Sequence, residues 1–185
     1  MPLFPTTEFT SSAPVSHSPA YMSESQSLKT IASSTGAQRW EFEVSTAWLL
    51  MPEARAVWAF LNARGGRAQS FDIELPIHSI PNGVVSGAVT TGVNAVGATA
   101  ITFANYAPAA GDFVRFAGHS KVYQVESAAG SIGNIYPPLL NATGLNEAVS
   151  VNNVLFTVRK SEDMSKIENN RKTAARLKFK CIEAF

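Results

Sequence analysis

The chain has 185 residues, 45% of them hydrophobic and 16% charged, which suffices for one good core or two small ones and is too apolar for a disordered chain. Fifteen basic against fourteen acidic side chains leave a formal charge of +1, so no global field draws in nucleic acid or an anionic membrane surface. Apolar runs such as Ala47-Trp48-Leu49-Leu50-Met51 are too short to span a bilayer, and the start MPLFPTTEFT lacks the basic and apolar regions of an export signal.

Residues 1–24 are rich in Ser, Thr and Pro with scattered Phe and Tyr, a composition that predicts an extended arm ordering against another body. On that reading, removing residues 1–22 leaves a folded monomer and weakens assembly. From residue 25 the chain looks folded. QSLKTIAS has β character, SSTG supplies a turn, and Arg39 to Val44 alternates so that Trp40, Phe42 and Val44 share one face of a strand. After a loop around 45–50, Pro52 and Glu53 suit a helix start and Gly65-Gly66 its end, which predicts a helix over about 52–64. Ala54, Val57, Trp58 and Leu61 form its apolar stripe. Ser70 to Leu75 then reads as a strand with Phe71, Ile73 and Leu75 inward.

Residues 77–153 change character: Gly, Ala, Val, Asn and Thr dominate, and charge is confined to Asp112, Arg115, Lys121, Glu126 and Glu147. The β runs VVSGAVTT, TAITFAN, DFVRFA, KVYQVE, NIYPPLL and EAVSVNNVLFTV recur between turn signals, predicting a small all-β barrel or sandwich. At its centre GDFVRFAGHSKVYQV reads as a hairpin, with Phe113, Arg115 and Ala117 on one face, Val114 and Phe116 on the other, and Gly118-His119-Ser120 turning the chain. From about 154 polar residues return. Lys160 to Lys172 reads as a solvated mixed-charge loop and Arg176 to Ile182 as a further strand. The expected fold is mainly β: a β-sandwich or sheet with one helix, formed by 25–76 and 154–185, interrupted by the inserted β domain 77–153.

We expect no catalytic, cofactor-binding or metal site. His17, His78 and His119 have no metal-ligand spacing, and neither a nucleophile elbow nor a phosphate-binding Gly-rich loop is present. GVNAVGATA matches a dinucleotide fingerprint only loosely and no helix follows it. Asp112 reads as a turn residue bonding local backbone amides. Cys181 has no partner for a disulfide and reads as a buried small hydrophobe in a chain made in a reducing cytosol. Aromatic faces can stack on sugar rings, so Tyr106, Tyr123 and Trp48 are candidate glycan or partner contacts, while Trp40 and Trp58 read as core.

The order of the Arg39-Trp40 strand, the helix from Ala59-Phe60-Leu61 to Gly65-Gly66, the Phe71 strand and the insert with GDFVRFAGHSKVYQV and IYPPLL resembles the distal tail proteins of long-tailed bacteriophages, over roughly residues 25–185. The resemblance implies a non-enzymatic virion protein made in the host cytoplasm: a β-sandwich core in a hexameric ring beneath the tail tube, with the inserted domain pointing outward. It implies contacts with further copies, the tail tube protein, tail hub or tip proteins and tail fibres. A head-tail connector or tail completion protein and a carbohydrate-binding β-domain protein are the alternative readings.

Overall fold

The computed structural model describes residues 1–170 and 173–185. In chain order its elements are β1 (Phe9–His17), β2 (Ala20–Glu24), β3 (Thr30–Ser34), β4 (Arg39–Thr46), β5 (Leu49–Leu50), α1 (Met51–Ala63) and β6 (Phe71–Glu74), followed by β7 (Val84–Thr91), β8 (Ala100–Ala107), β9 (Phe113–Phe116), β10 (Tyr123–Ala129), β11 (Ile132–Tyr136) and β12 (Glu147–Ser150), and finally β13 (Leu155–Lys160), β14 (Lys166–Asn170) and β15 (Ala174–Glu183). The protein is mainly β with one helix.

The body is a seven-stranded sheet with the path β1-β4-β15-β13-β6, in which β5 and β14 also pair with β15. Alternation drives it. Trp40, Phe42, Val44 and Thr46 of β4 and Ala175, Leu177, Phe179, Cys181 and Glu183 of β15 all turn inward, as period-two patterning demands. Burial pushes the Cys181 thiol well above its ordinary range, so it behaves as an apolar core group.

The sheet curls, and the N-terminal segment shows why. Leu3 bridges to Asp72 beside β6, with Phe4 N–H donating to Asp72 O at 2.8 Å, whereas β1 pairs with β4 at the opposite edge. Laid flat, those two edges would lie about 24 Å apart at the usual strand spacing. The stretch from Phe4 to Phe9 reaches at most about 18 Å, so the edges must approach each other. Phe4 is only 5% exposed and packs its ring against Phe9, Phe60, Phe71 and Phe179 at 5.6–6.1 Å between centroids. The expected arm is therefore corrected: residues 3–17 belong to the body's own sheet and core, because an aromatic that can reach an apolar cluster within its own chain gains more by burial than by exposure.

Helix α1 covers the body with Ala54, Val57 and Leu61. Leu50 N–H donates to the Glu53 carboxylate at 3.3 Å at its start, and left-handed Gly65 and Gly66 follow its end. Trp58, expected in the stripe, is 40% exposed, because the helix turns only a narrow face to the sheet. The mixed-charge run is also corrected. Its described part contains strand β14, where Glu168 accepts from Arg176 and lies near Lys178 and Lys166; Arg171 and Lys172 lie outside the described residues.

The middle third closes into a six-stranded barrel, β10-β11-β8-β7-β12-β9, whose strands all fall between Val84 and Ser150. Its core gathers Ile101, Phe103, Phe116, Tyr123, Val125 and Ile135 among others. Residues 113–125 form the seam between the two bodies. Phe113 and Val122 belong to the body's core, whereas Val114, Phe116, Tyr123 and Val125 belong to the barrel's.

Candidate functional site

The three aromatics proposed as surface contacts separate sharply. Tyr106 is 3% exposed and Tyr123 0%, so neither can stack on a glycan; both are corrected to barrel core. Strand periodicity points Tyr123 inward along with Val125, Tyr106 is turned inward out of step with Ile101 and Phe103 after the positive-φ Asn105, and the hydroxyls of both are satisfied inside. Tyr106 donates to Asp112 at 2.6 Å, and burial with the adjacent carboxylate pushes its phenol well above the ordinary value. The Tyr123 hydroxyl lies 3.0 Å from His119 Nδ1 and accepts from Leu140 N–H at 3.2 Å. Trp48 remains at the surface, 48% exposed, with the Arg176 guanidinium 5.0 Å from its ring centre.

Asp112 staples the loop that leads into the barrel. Its carboxylate accepts from Asn82 N–H at 2.7 Å, Gly83 N–H at 3.0 Å, Ala109 N–H at 2.8 Å and the Tyr106 hydroxyl. A Cβ at Gly83 would lie 2.4 Å from Ala107 O, so only glycine lets the chain come this close. The histidines occupy separate settings: His17 beside Glu41, His78 against the Phe113 ring, His119 in the barrel wall. Among the described residues no group of three His, Cys, Asp or Glu side chains is placed to hold a metal ion.

A buried polar network crosses the seam. Lys121 and Glu183 form an ion pair with side chains 2% and 0% exposed. Lys121 Nζ also donates to Gln38 O at 3.1 Å and Gln38 Oε1 at 2.6 Å, while Glu183 accepts from Val122 N–H at 2.9 Å and Trp40 N–H at 3.1 Å. Burial pushes the lysine down and the carboxylate up, each opposed by the partner's charge. Beside it the Trp40 indole N–H donates to Val122 O at 2.9 Å, and Arg115 donates to Leu155 O at 2.7 Å. These bonds fix the barrel to the body.

The opposite situation holds at the far end of β1. Every residue from Val15 to Ala37 is exposed. Strands β1 and β4 are the base of one long hairpin, with His17 opposite Arg39; beyond it β2 and β3 form a separate two-stranded ribbon that begins with Ala20 opposite Ser34. Two residues on one side against four on the other make a bulge, which turns the ribbon off the sheet. Pro19 sits in this bend and its carbonyl accepts from Thr35 N–H at 3.3 Å and Thr35 Oγ1 at 2.8 Å.

The ribbon's side chains are not those of a solvated loop. Tyr21, Met22, Leu28 and Ile31 are 63–79% exposed, with Tyr21 and Ile31 on one face and Met22 beside Ala32 on the other. Leu28 occupies the turn at φ 59°, a conformation in which a Cβ is disfavoured. At the ribbon's root lies a cavity of about 350 Å³ lined by His17, Pro19, Ala37, Arg39, Leu140 and Phe185 together with Gln38, and its walls are mostly apolar. Sequence reasoning missed this pair of features. The clue present was the β character of QSLKTIAS next to the Tyr21-Met22 pair across a polar turn.

The chain matches no protein-family model and no curated protein sequence.

Proposed function

We propose that this protein is a structural component of a bacteriophage tail, a distal tail protein whose copies form a ring between the tail tube and the tail tip or baseplate. The observation that carries this reading is the ribbon, solvent-exposed on both faces and bearing the large apolar side chains of Tyr21, Met22, Leu28 and Ile31. An isolated two-stranded ribbon is marginal in water, and exposed apolar surface with unpaired strand edges favours contact with another chain. A head-to-tail contact repeated around an axis closes a ring, which is the use the resembled family makes of its β core.

On this reading the barrel points away from the ring axis and meets tail fibres or tip proteins, the body meets the tail tube protein, and six copies complete the ring. The protein acts by holding neighbours in place, and its polar interior, at Asp112 and at Lys121–Glu183, serves rigidity. With Tyr106 and Tyr123 buried, the carbohydrate reading retains only Trp48 of its three contacts. Cryo-electron microscopy of the purified particle tests the proposal: ring density fitting this chain is expected at the tail tube's distal end. Density at the head-proximal end would assign a connector instead, and absence of the chain from purified particles would overturn a virion role.

A further inference from the structure

We propose that Lys121 and Gln38 join in an intramolecular isopeptide bond, made by the folded chain itself with Glu183 as proton carrier, which locks the barrel to the body. The inference goes beyond the ring reading and does not depend on it.

Three side chains at the seam supply the parts of an amide exchange: an amine from the turn before β10, a carboxamide from the residue before β4 and a carboxyl group from the end of β15. Gln38 is 4% exposed, and the side chains of Lys121 and Glu183 are 2% and 0% exposed. The carboxamide is held with its carbonyl toward the amine. Its Nε2 donates to Ser16 Oγ at 3.1 Å, which turns Oε1 to the lysine, where it accepts from Nζ at 2.6 Å. The carbonyl carbon lies one bond of about 1.2 Å beyond that oxygen, hence at most about 3.8 Å from Nζ, close to the separation from which a nucleophile attacks. Nζ also touches Glu183 Oε2.

A charged lysine is inert toward an amide, and here burial works against the charge. It lowers Lys121 and raises Glu183, so passing one proton from Nζ to Oε2 turns the ion pair into a neutral amine beside a neutral acid and frees the lone pair. A bond then forms between Lys121 Nζ and Gln38 Cδ, and the bond from Cδ to Nε2 breaks. Glu183 gives its proton to the leaving nitrogen and takes one from the attacking nitrogen. The products are a secondary amide, one ammonia and a protonated Glu183, with no oxidant or co-reactant consumed.

Water competes for the same carbon and is held off by the burial of all three groups beside Trp40 and Val122, with the Phe185 ring centred 4.6 Å from Nζ. Gln38 also lines the cavity at the ribbon's root, which gives the ammonia a way out. The arrangement described is the state before the bond: the ion pair gathers the groups as the chain folds, and the link follows. Joining residues 83 apart, it restrains the unfolded chain as a disulfide does.

Mass spectrometry of the full-length protein, freshly purified and after storage at neutral pH, tests the bond. The expected result is the loss of one ammonia per chain, growing with time, together with a branched peptide after proteolysis that joins the segment holding Gln38 to the segment holding Lys121. The branched peptide separates this bond from ammonia lost by asparagine cyclisation. Gln38→Met keeps the lysine–carboxylate pair and is expected to give no branched peptide. Glu183→Gln, with folding checked by circular dichroism, is expected to slow linkage about a hundredfold or more. A stored parent without the branched peptide overturns the proposal, and the parent measurement stands even if the Glu183 variant fails to fold. Loss of one water with a peptide joining Lys121 to Glu183 would also overturn it, by making the glutamate the acyl donor, as would a folded Glu183→Gln that links as fast as the parent, by removing the proton carrier.

Discussion

Lys121 has exchanged bulk water for three acceptors, and Glu183 has exchanged it for two backbone amides and an ammonium. The pair is an arrangement in which removing either member is worse than never having built it, because the survivor stays buried with its hydrogen bonds incomplete. Glu183→Gln leaves the lysine charge without a counterion and sets an amide against it; a loss of about 3–5 kcal/mol in denaturant unfolding is expected. Lys121→Met leaves a carboxylate that can protonate, so its cost depends on pH. Burial already raises the folded-state value of Glu183 above its ordinary 4.5, and losing the lysine raises it further. A raised carboxylate contributes stability below its unfolded value and loses it as pH climbs through the folded one. The stability gap between the parent and Lys121→Met is therefore expected to widen from pH 5 to pH 8, as thermal unfolding in parallel buffers can measure. A constant gap would mean that the carboxylate is not held by the lysine.

Among elements, the N-terminal segment divides between a part buried in the core and an exposed ribbon. Phe4 lies in an aromatic cluster of both sheet and helix, so Phe4→Ala is expected to cost about 3–5 kcal/mol, read from the denaturant midpoint. Removing residues 1–17 strips a sheet strand as well and is expected to abolish folding. Excising Ala20–Gly36 is different. It joins β1 to β4 through the four residues Ser18, Pro19, Ala37 and Gln38, a permitted hairpin length, and keeps the Gln38 acceptors of Lys121. The melting temperature is expected to stay within a few degrees of the parent while self-association disappears; a fall large enough to unfold the body would show the ribbon to be part of its core.

This division also explains what could be read from the residues. Strands buried on one face, such as Arg39–Thr46 and the barrel's β runs, announce themselves by alternation, and the Gly65-Gly66 stop ended the helix as expected. β1 is an edge strand carrying Pro14 and mostly exposed positions, so it has neither alternation nor a full set of donors. β14 is polar because one face is solvated. Lys121 and Glu183 are separated by 62 residues, and no local pattern brings a charge inside; only the tertiary fold does. Of the aromatic candidates, Tyr123 keeps the barrel's period with Val125, which says inward regardless of its polar end, whereas Tyr106 is out of step with Ile101 and Phe103 and turns inward only after the positive-φ Asn105, which no alternation announces.

At the scale of the molecule, two bodies distinct in composition behave as one. Phe113 and Val122 enter the body's core while their neighbours Val114 and Tyr123 enter the barrel's, and the ion pair ties the two together. A single cooperative transition is expected. The three tryptophans, Trp40, Trp48 and Trp58, all report on the body, and Tyr106 and Tyr123 report on the barrel, so intrinsic fluorescence and near-ultraviolet tyrosine dichroism should give the same denaturant midpoint. Separated midpoints would show that the seam does not couple them.

The alternation of β9 has a consequence for how such a protein can change over time or by design. A loop insertion is replaced by cutting at its two ends, but this one has a wall whose odd positions answer to its host and whose even positions answer to itself. A foreign barrel transplanted at Val84 and Ser150 would arrive without the aromatic, the guanidinium and the ammonium that the recipient requires at 113, 115 and 121. Swapping decorations on this scaffold should therefore succeed at the barrel's outer loops and fail for the barrel as a whole, unless that one strand and the turn after it are carried over from the recipient.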